Sequence, residues 1–583
     1  MNQETKTCKN CAKDFEIRKE DLIFYEQVKV PPPSHCPDCR MQKRIAFRNE
    51  RTLYKRPCDM CKKDGVSLYT KNTPFPVFCH ECWWGDGWDP MSYGIKYNPE
   101  KSFLAQFAEL QNKIPRVRLL SINSVNTEYE NNASENKNCY LIFAAENNED
   151  CLYGRLIQSC KNSMDCAFLY NSELCYECTD TRKSFKCLFG ERLQECVDVL
   201  FSFDMRNCQN CIFCANGRNL NYAIENKPCT KEEFEEKKTE ILKNYASIEE
   251  ARKKYRDIRG KALVKYASAV KCVNATGDYM YNCHDGVRIF DVSNAKNCSY
   301  IADAEDPIDC QDVNNHYFKG ERCFNVMGAL QDTNCIVANF CFYCNNVRYS
   351  DSCRNCADCF GCVALNNKKY CILNKEYTKE EYEKIRDQIV EQMKKNGIYG
   401  EYFSAELSPF PYNDTLAQEY YPLTEKEAEK LGYKWQKQIS GTYGKETILE
   451  KNMLETTGEV TEDILNQILV CKDCKKNFRI TKSEFDFYKR MNLPLPHKDF
   501  ECRHQDRMSK RNPRKLWHRA CMCELKNHQH GSKKCENEFE TAYSPDPRYA
   551  EGSGPLRHSD SAASEASRPE IVYCETCYQQ EVS

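Results

Sequence analysis

The sequence predicts a multi-domain chain in which small double-knuckle modules at both ends flank a cysteine-rich, β-solenoid-like repeat region with intervening α-helices. Three observations lead there. Paired C-x-x-C motifs stand at Cys8/Cys11 and Cys36/Cys39, and related pairs recur at Cys471/Cys474 and Cys574/Cys577. Adding 463 to the numbering carries residues 8–58 onto 471–521 without a gap, so the first module has a second copy at the far end. Between the ends, residues 204–234 repeat at 352–382, an offset of 148 that superposes Cys208, Cys211 and Cys214 on Cys356, Cys359 and Cys362.

The totals bound the reading. At 583 residues the chain exceeds one ordinary domain. With 41% hydrophobic and 29% charged residues it has the composition of a folded protein. A net charge of -2 excludes a polybasic molecule, so any nucleic-acid surface must be local. The 41 cysteines are an odd number and cannot all pair with one another. The polar start MNQETKTCKN lacks a signal-peptide core, and no run of about 18 apolar residues occurs. The expectation is a cytoplasmic, reducing setting without a membrane partner, where cysteines hold metals or stay free.

Residues 1–100 form the first module pair. Zinc in structural sites takes four cysteine or histidine ligands in a tetrahedron, and two knuckles supply one such set. Site A is Cys8, Cys11, Cys36 and Cys39; site B is Cys58, Cys61, Cys79 and Cys82. Trp83, Trp84 and Trp88 follow directly and are expected to pack the module against residues 90–120, the alternative being a platform for stacked bases.

Residues 120–229 and 268–377 are the two halves of the cysteine-rich β-repeat. From 139 to 229 every cysteine lies a multiple of three from every other, which is not the alternation of a flat strand. In the second half Cys323 and Cys344, Cys335 and Cys356, and Cys341 and Cys362 are each 21 apart, which suggests rungs of 21 residues. Asn138, Asp150, Asp165, Asn207, Asn297, Asp309 and Asn355 each precede a cysteine and are expected at turns. Each half runs into a helical segment, 230–265 and 378–397, through the capping boxes Thr230/Glu233 and Thr378/Glu381, and Gly397 ends the second. A connector at 398–465 holds a short helix from Thr424 to Gly432.

Residues 466–583 are the second module pair, with a small, polar stretch at 547–567 read as a disordered insert. Site C keeps Cys471, Cys474 and Cys502, but Asp499 stands where Cys36 stands in the first copy. Asp can ligate zinc through oxygen, and His497 or His504 are alternatives. Site D carries Cys574 and Cys577; once the insert is removed, Cys535 occupies the place of Cys61. The first ligand is Cys521 or Cys523, with Cys523 favoured and His528 and His530 nearby.

The run C-x2-C-x3-F-x-I ending in P-x-P-x-x-C-P-x-C-R, Cys8 to Arg40 here, resembles the probable zinc-ribbon, treble-clef-like proteins, among them cysteine-rich proteins of candidate-phylum bacteria. The resemblance covers about residues 1–100 and 465–583. It implies a zinc-ribbon or treble-clef fold and carries no activity.

Residues 40–56 hold seven Lys/Arg and one acid, and so do residues 503–519. On a continuous helix Arg40, Arg44, Arg48 and Arg51 fall within an arc of about 80°, and Arg503, Arg507, Arg511 and Arg514 repeat them. Such a row suits phosphate oxygens, or else screens the zinc thiolates. Pro513 limits the helix in the second copy. The expected function is a non-catalytic scaffold holding three to four zinc ions and binding RNA or DNA through these arginines. A protein–protein assembly module is the alternative. A third reading is an iron–sulfur or redox enzyme built on Cys353, Cys356, Cys359 and Cys362. No Ser/His/Asp set, phosphate-binding glycine loop or H-E-x-x-H motif is present, so neither an enzyme nor a small-molecule substrate is indicated.

Overall fold

The phase of three in the cysteine-rich middle is a backbone property. In a computed structural model, every third residue from Asn123 to Glu225 has a φ between 45° and 61°. The model describes residues 3–304, 311–316, 325–328, 345–437, 441–448, 456, 458, 460–545 and 570–582. A left-handed residue bends the chain, and Asn and Asp bear that conformation best because a short polar side chain bonds locally. Hence the recurring Asn or Asp before cysteine: Asn138, Asp150, Asp165, Asn207, Asn297 and Asn355 are all left-handed corners. Asp309 lies outside the described residues.

In the first half parallel bridges join residues twelve apart, as in Lys137 to Glu149 and Glu149 to Lys161, and in the second half residues eleven to thirteen apart. Four left-handed corners therefore separate bridged partners. The rung is twelve residues, not the 21 expected; Cys323, Cys335, Cys341 and Cys344, on which that spacing rested, lie outside the described residues. Two backbone bonds per corner hold neighbouring rungs. Lys137 N–H donates to Asn148 O at 2.8 Å, and Asn138 N–H donates to Val125 O at 3.0 Å. At the corners side chains form ladders too, with the Asn126 amide donating to Asn138 and the Asn138 amide to Asp150.

The cysteine follows the corner and points inward. Cys139 Sγ donates to Lys137 O, two residues back, and accepts the N–H of Cys151, twelve residues on. Ser184 does the same, donating to Arg182 O and accepting from Cys196 N–H. The inner column thus selects small side chains that both donate and accept, and it buries them: Cys151, Cys160, Cys175, Cys187 and Cys196 are fully enclosed. No disulfide joins the described cysteines.

The second half uses the same rule, with corners such as Asn282, Asp285, Arg288 and Asp291, and a further run through Asn355, Asp358 and Gly361. Each half then ends identically. Two successive left-handed residues, Glu225-Asn226 and Leu373-Asn374, reverse the chain into an antiparallel hairpin. The expected capping boxes follow, at Thr230/Glu233 and Thr378/Glu381, and open the helices Lys231–Leu242 and Lys379–Lys395. Phe234 and Tyr382 bury themselves at these helix starts, against Tyr222 and Tyr370 of the last parallel strand of each half. Gly397, at φ 65°, ends the second helix, and a capping box at Thr424 opens the short helix Glu425–Lys430.

The chain divides into two units. One is Met1–Leu119, Ala267–Lys437 and Arg514–Leu516; the other is Leu120–Tyr266, Gln438–Pro513 and Trp517–Ser583. The N-terminal module pair therefore shares a unit with the second repeat half, and the C-terminal pair with the first. In the second unit the strand Ile571–Tyr573 of the last module lies parallel to Leu263–Lys265. The 547–567 stretch lies outside the described residues. No described helix is long and apolar enough to cross a membrane.

Candidate metal centres

Each module begins with a hairpin whose turn is a cysteine knuckle. Glu4–Thr7 pairs with Asp14–Ile17 around Cys8 and Cys11, and Tyr54–Pro57 pairs with Asp64–Ser67 around Cys58 and Cys61. The knuckle closes at a left-handed residue, Ala12, Lys62 or Lys475. The next ligand opens a helix. Cys36 precedes Pro37–Ile45 and Cys79 precedes His80–Trp84, so a helix N-terminus faces the thiolates. Backbone amides point at sulfur, with Cys36 N–H donating to Cys8 Sγ at 3.3 Å and Cys79 N–H to Cys58 Sγ at 3.2 Å.

The expected ligands converge. Sites A and B bring all four sulfurs within 4.8 Å of one another, and so does site C with Cys471, Cys474, Asp499 and Cys502. The Cys11 and Cys36 sulfurs lie 3.8 Å apart, and those of Cys61 and Cys79 3.7 Å. Four sulfurs placed tetrahedrally at zinc's usual 2.3 Å would stand about 3.8 Å apart. In each of these sites one thiol is predisposed to ionise, while neighbours that donate to it, such as Cys39 and Cys502, are pushed up. Cys39 donating to Cys36 holds Cys36 down, to about 5. Burial pushes Cys58 up, but the N–H groups of Cys79, Cys61 and Met60 bring it to about 6. The contact with Cys502 lowers Cys471 to about 6.

Asp499 has two tasks. Its Oδ1 caps the helix Phe500–Met508, accepting from Glu501 N–H and Cys502 N–H at 2.8 and 3.0 Å. Its Oδ2 accepts from Cys474 Sγ at 2.8 Å. Burial raises its pKa, yet these donors hold it below the ordinary carboxylate value. His497 stacks on Tyr245, centroids 3.6 Å apart, and neither it nor His504 joins the group.

Site D corrects the sequence reading. Its four sulfurs are Cys521, Cys535, Cys574 and Cys577. Cys521 N–H donates to Asn537 O, and Cys521 Sγ accepts from Cys574 N–H at 3.3 Å, just as Cys58 accepts from Cys79. Cys521 is thus the strict counterpart of Cys58, which the offset of 463 already indicated. Cys523 stands with His528 and His530 instead, in a group that also includes Cys577. Cys353, Cys356, Cys359 and Cys362 form no such group among the described residues. They are successive inner residues of one rung, and each donates to the carbonyl two residues back.

The arginine rows are the second correction. The helices end at Ile45 and Met508, so no single helical face carries all four residues of a row. Arg40, Arg44, Arg48, Arg503, Arg507, Arg511 and Arg514 are all buried, none more than 5% exposed, and Arg51 is half-buried. In the first unit Arg40 donates to Asp312 at 2.8 Å, and Arg44 reaches Asp312 and donates to Asn314 and Asn325. Arg48 bonds Glu50, and Arg514 bonds Asp291. In the second unit Arg503 and Arg507 share Asp165, and Arg511 bonds Asp180. Asp165, Asp180, Asp291 and Asp312 are all left-handed corners of the repeat. The row docks a module on the stacked rungs, because a guanidinium removed from water needs a fixed carboxylate. Sequence reasoning identified the arginines and, of the corner acids, Asp165, but nothing local said that they meet.

Trp83 and Trp88 pack together, centroids 4.9 Å apart, and Trp88 lies edge-on to Phe78. Phe78 pairs with Val117, so these two rings do join the module to residues 90–120. Trp84 stays more open, with the Arg354 guanidinium 5.0 Å over its ring. No known family model matches this chain, and no curated protein matches it in sequence.

Proposed function

We propose that this protein is a non-catalytic scaffold in which zinc-loaded, treble-clef-like ribbons clamp a four-cornered β-solenoid, and that it holds a protein partner on the solenoid's exposed face. The observation that carries the reading is the direction of the arginines. At each end the first module fixes a helix start, and of the arginines that follow, Arg40, Arg44, Arg503, Arg507, Arg511 and Arg514 run inward to acids at the repeat corners. The metals then serve to hold the ribbon's docking surface in shape, and every site has a closed four-ligand set with no open position for chemistry.

The same observation removes the cations on which nucleic-acid binding rested. What the second unit exposes instead is a column of mixed character. Lys137, Glu149 and Lys161 pair along it at 2.8 and 3.1 Å. Further along, Phe185 bridges to Val197, and both side chains are about 40% exposed. Alternating signs beside apolar groups suit a protein surface, whereas a phosphate backbone favours an unbroken row of cations.

Two measurements test this. Metal analysis of the intact protein should find zinc, and removing it with a chelator should unfold the ribbons, since metal supplies on the order of 10 kcal/mol to such modules. A partner cross-linked to the wild-type protein should be lost with Phe185→Asp/Val197→Asp while circular dichroism is unchanged. A nucleic-acid affinity that falls steeply with salt, and survives that double substitution, would overturn the reading.

A further inference from the structure

Site D differs from site B by an insertion inside its first knuckle. Cys58 and Cys61 are three residues apart, whereas Cys521 and Cys535 are fourteen apart. The eleven extra residues contain Cys523, His528 and His530, none of which has a counterpart in the first copy. A loop that merely lengthened a turn would have no reason to bring metal-binding side chains back to the site. This one does: Cys523 Sγ lies 3.2 Å from His528 Nδ1 and 3.3 Å from His530 Nε2.

The far nitrogens of both rings are held by acceptors. His530 Nδ1 lies 2.7 Å from Lys533 O, a carbonyl that can only accept, so that nitrogen carries the proton and Nε2 presents a lone pair to Cys523. His528 Nε2 lies 3.0 Å from Glu581 Oε1, which orients its Nδ1 lone pair the same way. A carboxylate or carbonyl behind each imidazole is the usual outer shell of a metal-bound histidine. The Cys523 thiol has one proton and faces two imidazole lone pairs, so hydrogen bonding alone leaves one of them without a donor. Tetrahedral bonds of about 2.3 Å to sulfur and 2.0–2.1 Å to nitrogen put those atoms about 3.5 Å apart, close to what is seen.

Cys577 belongs to both groups: to Cys521, Cys535 and Cys574 on one side and to Cys523, His528 and His530 on the other. We infer that the last module holds two divalent ions of the zinc class bridged by the Cys577 thiolate, the second being a Cys2His2 ion that the N-terminal module does not have. A thiolate sulfur has lone pairs enough for two metals. Charge favours the pair as well: two divalent ions against five thiolates leave a net charge of -1, where one ion in four thiolates leaves -2. Five of the six terminal ligands are buried and His530 is half-buried, and the turn at Gly531, φ 70°, folds the loop back so that His530 reaches the same sulfur as His528.

The inference rests on the zinc-scaffold reading, and the test separates the two. Native mass spectrometry of the full-length protein purified with zinc should show one ion more than the His528→Ala/His530→Ala variant, with the remaining ions retained in both. Full-length protein loaded with cadmium-113 should show two resonances split by coupling through a shared sulfur. An unchanged ion count, or cadmium resonances without mutual coupling, overturns the bridged pair while leaving the other sites standing. A wild-type chain with no bound ion overturns the scaffold reading as well.

Discussion

At the scale of single residues, the position after each corner is chosen for two hydrogen bonds. Cys139 donates to Lys137 O and accepts from Cys151 N–H. Serine fills the same role at Ser184, so Cys139→Ser should cost little. Cys139→Val stays apolar but abandons a buried N–H, and should cost about 1–3 kcal/mol in urea denaturation. Equal losses for the two variants would show that packing and not hydrogen bonding fills the column. Asp414 gives a pH signature of its own. It is buried, accepts from Tyr54 Oη at 2.6 Å, and burial raises its pKa to about 6. Its unfolded value is about 3.9, so the folded state favours the protonated acid. That contribution is complete below about pH 4 and is lost as pH rises through about 6. Asp414→Asn should therefore stabilise the protein by about 2–3 kcal/mol at pH 8 and make no gain at pH 4, as thermal melts at the two pH values would show.

At the scale of elements, the unit of construction is a knuckle, a helix and the corner acids beneath it. Removing Arg507 leaves Asp165 buried with one guanidinium fewer, because Arg507 and Arg503 both pair with it. Arg507→Ala should cost about 3–5 kcal/mol, and much of that should disappear in Arg507→Ala/Asp165→Asn. Additive losses in that cycle would argue against a direct pair. The sequence made much of this level legible. Capping boxes at Thr230 and Thr378 named two helix starts correctly, and the short helix at Thr424 starts where it was expected, because caps are local and their donors lie within three residues. The knuckle ligands of sites A, B and C were equally plain, since C-x-x-C is itself a local geometry. The arginine rows were not. Their helical spacing was real for Arg40 and Arg44, but a guanidinium reads the same in solvent and in a buried pair, and the partner Asp312 lies some 270 positions away.

At the scale of the whole molecule, the two terminal pairs exchange repeat halves along the sequence: the first pair belongs with 267–437, the second with 120–266. The offset of 463 and the offset of 148 reveal both duplications but not which copy joins which, since that choice depends on acids far along the chain. The phase of three in the cysteines pointed to a period that strand alternation cannot produce. Its cause, a left-handed residue at every third position, became visible only with the backbone angles. The insertion between Cys521 and Cys535 obscured the last site for a similar reason: it carries Cys523, His528 and His530, and Cys523 was favoured as the first ligand although the offset of 463 matched Cys521 to Cys58.

The twelve-residue bridge interval makes the length of the repeat a stepwise quantity. Lys161 and Glu173 occupy equivalent places on neighbouring rungs. A deletion or duplication of one full turn there would return every inward thiol and every outward charge to its own column. A change of six would place each column on the opposite side. Such a chain can grow or shrink by whole turns while its ends, and the helices that close them, stay the same.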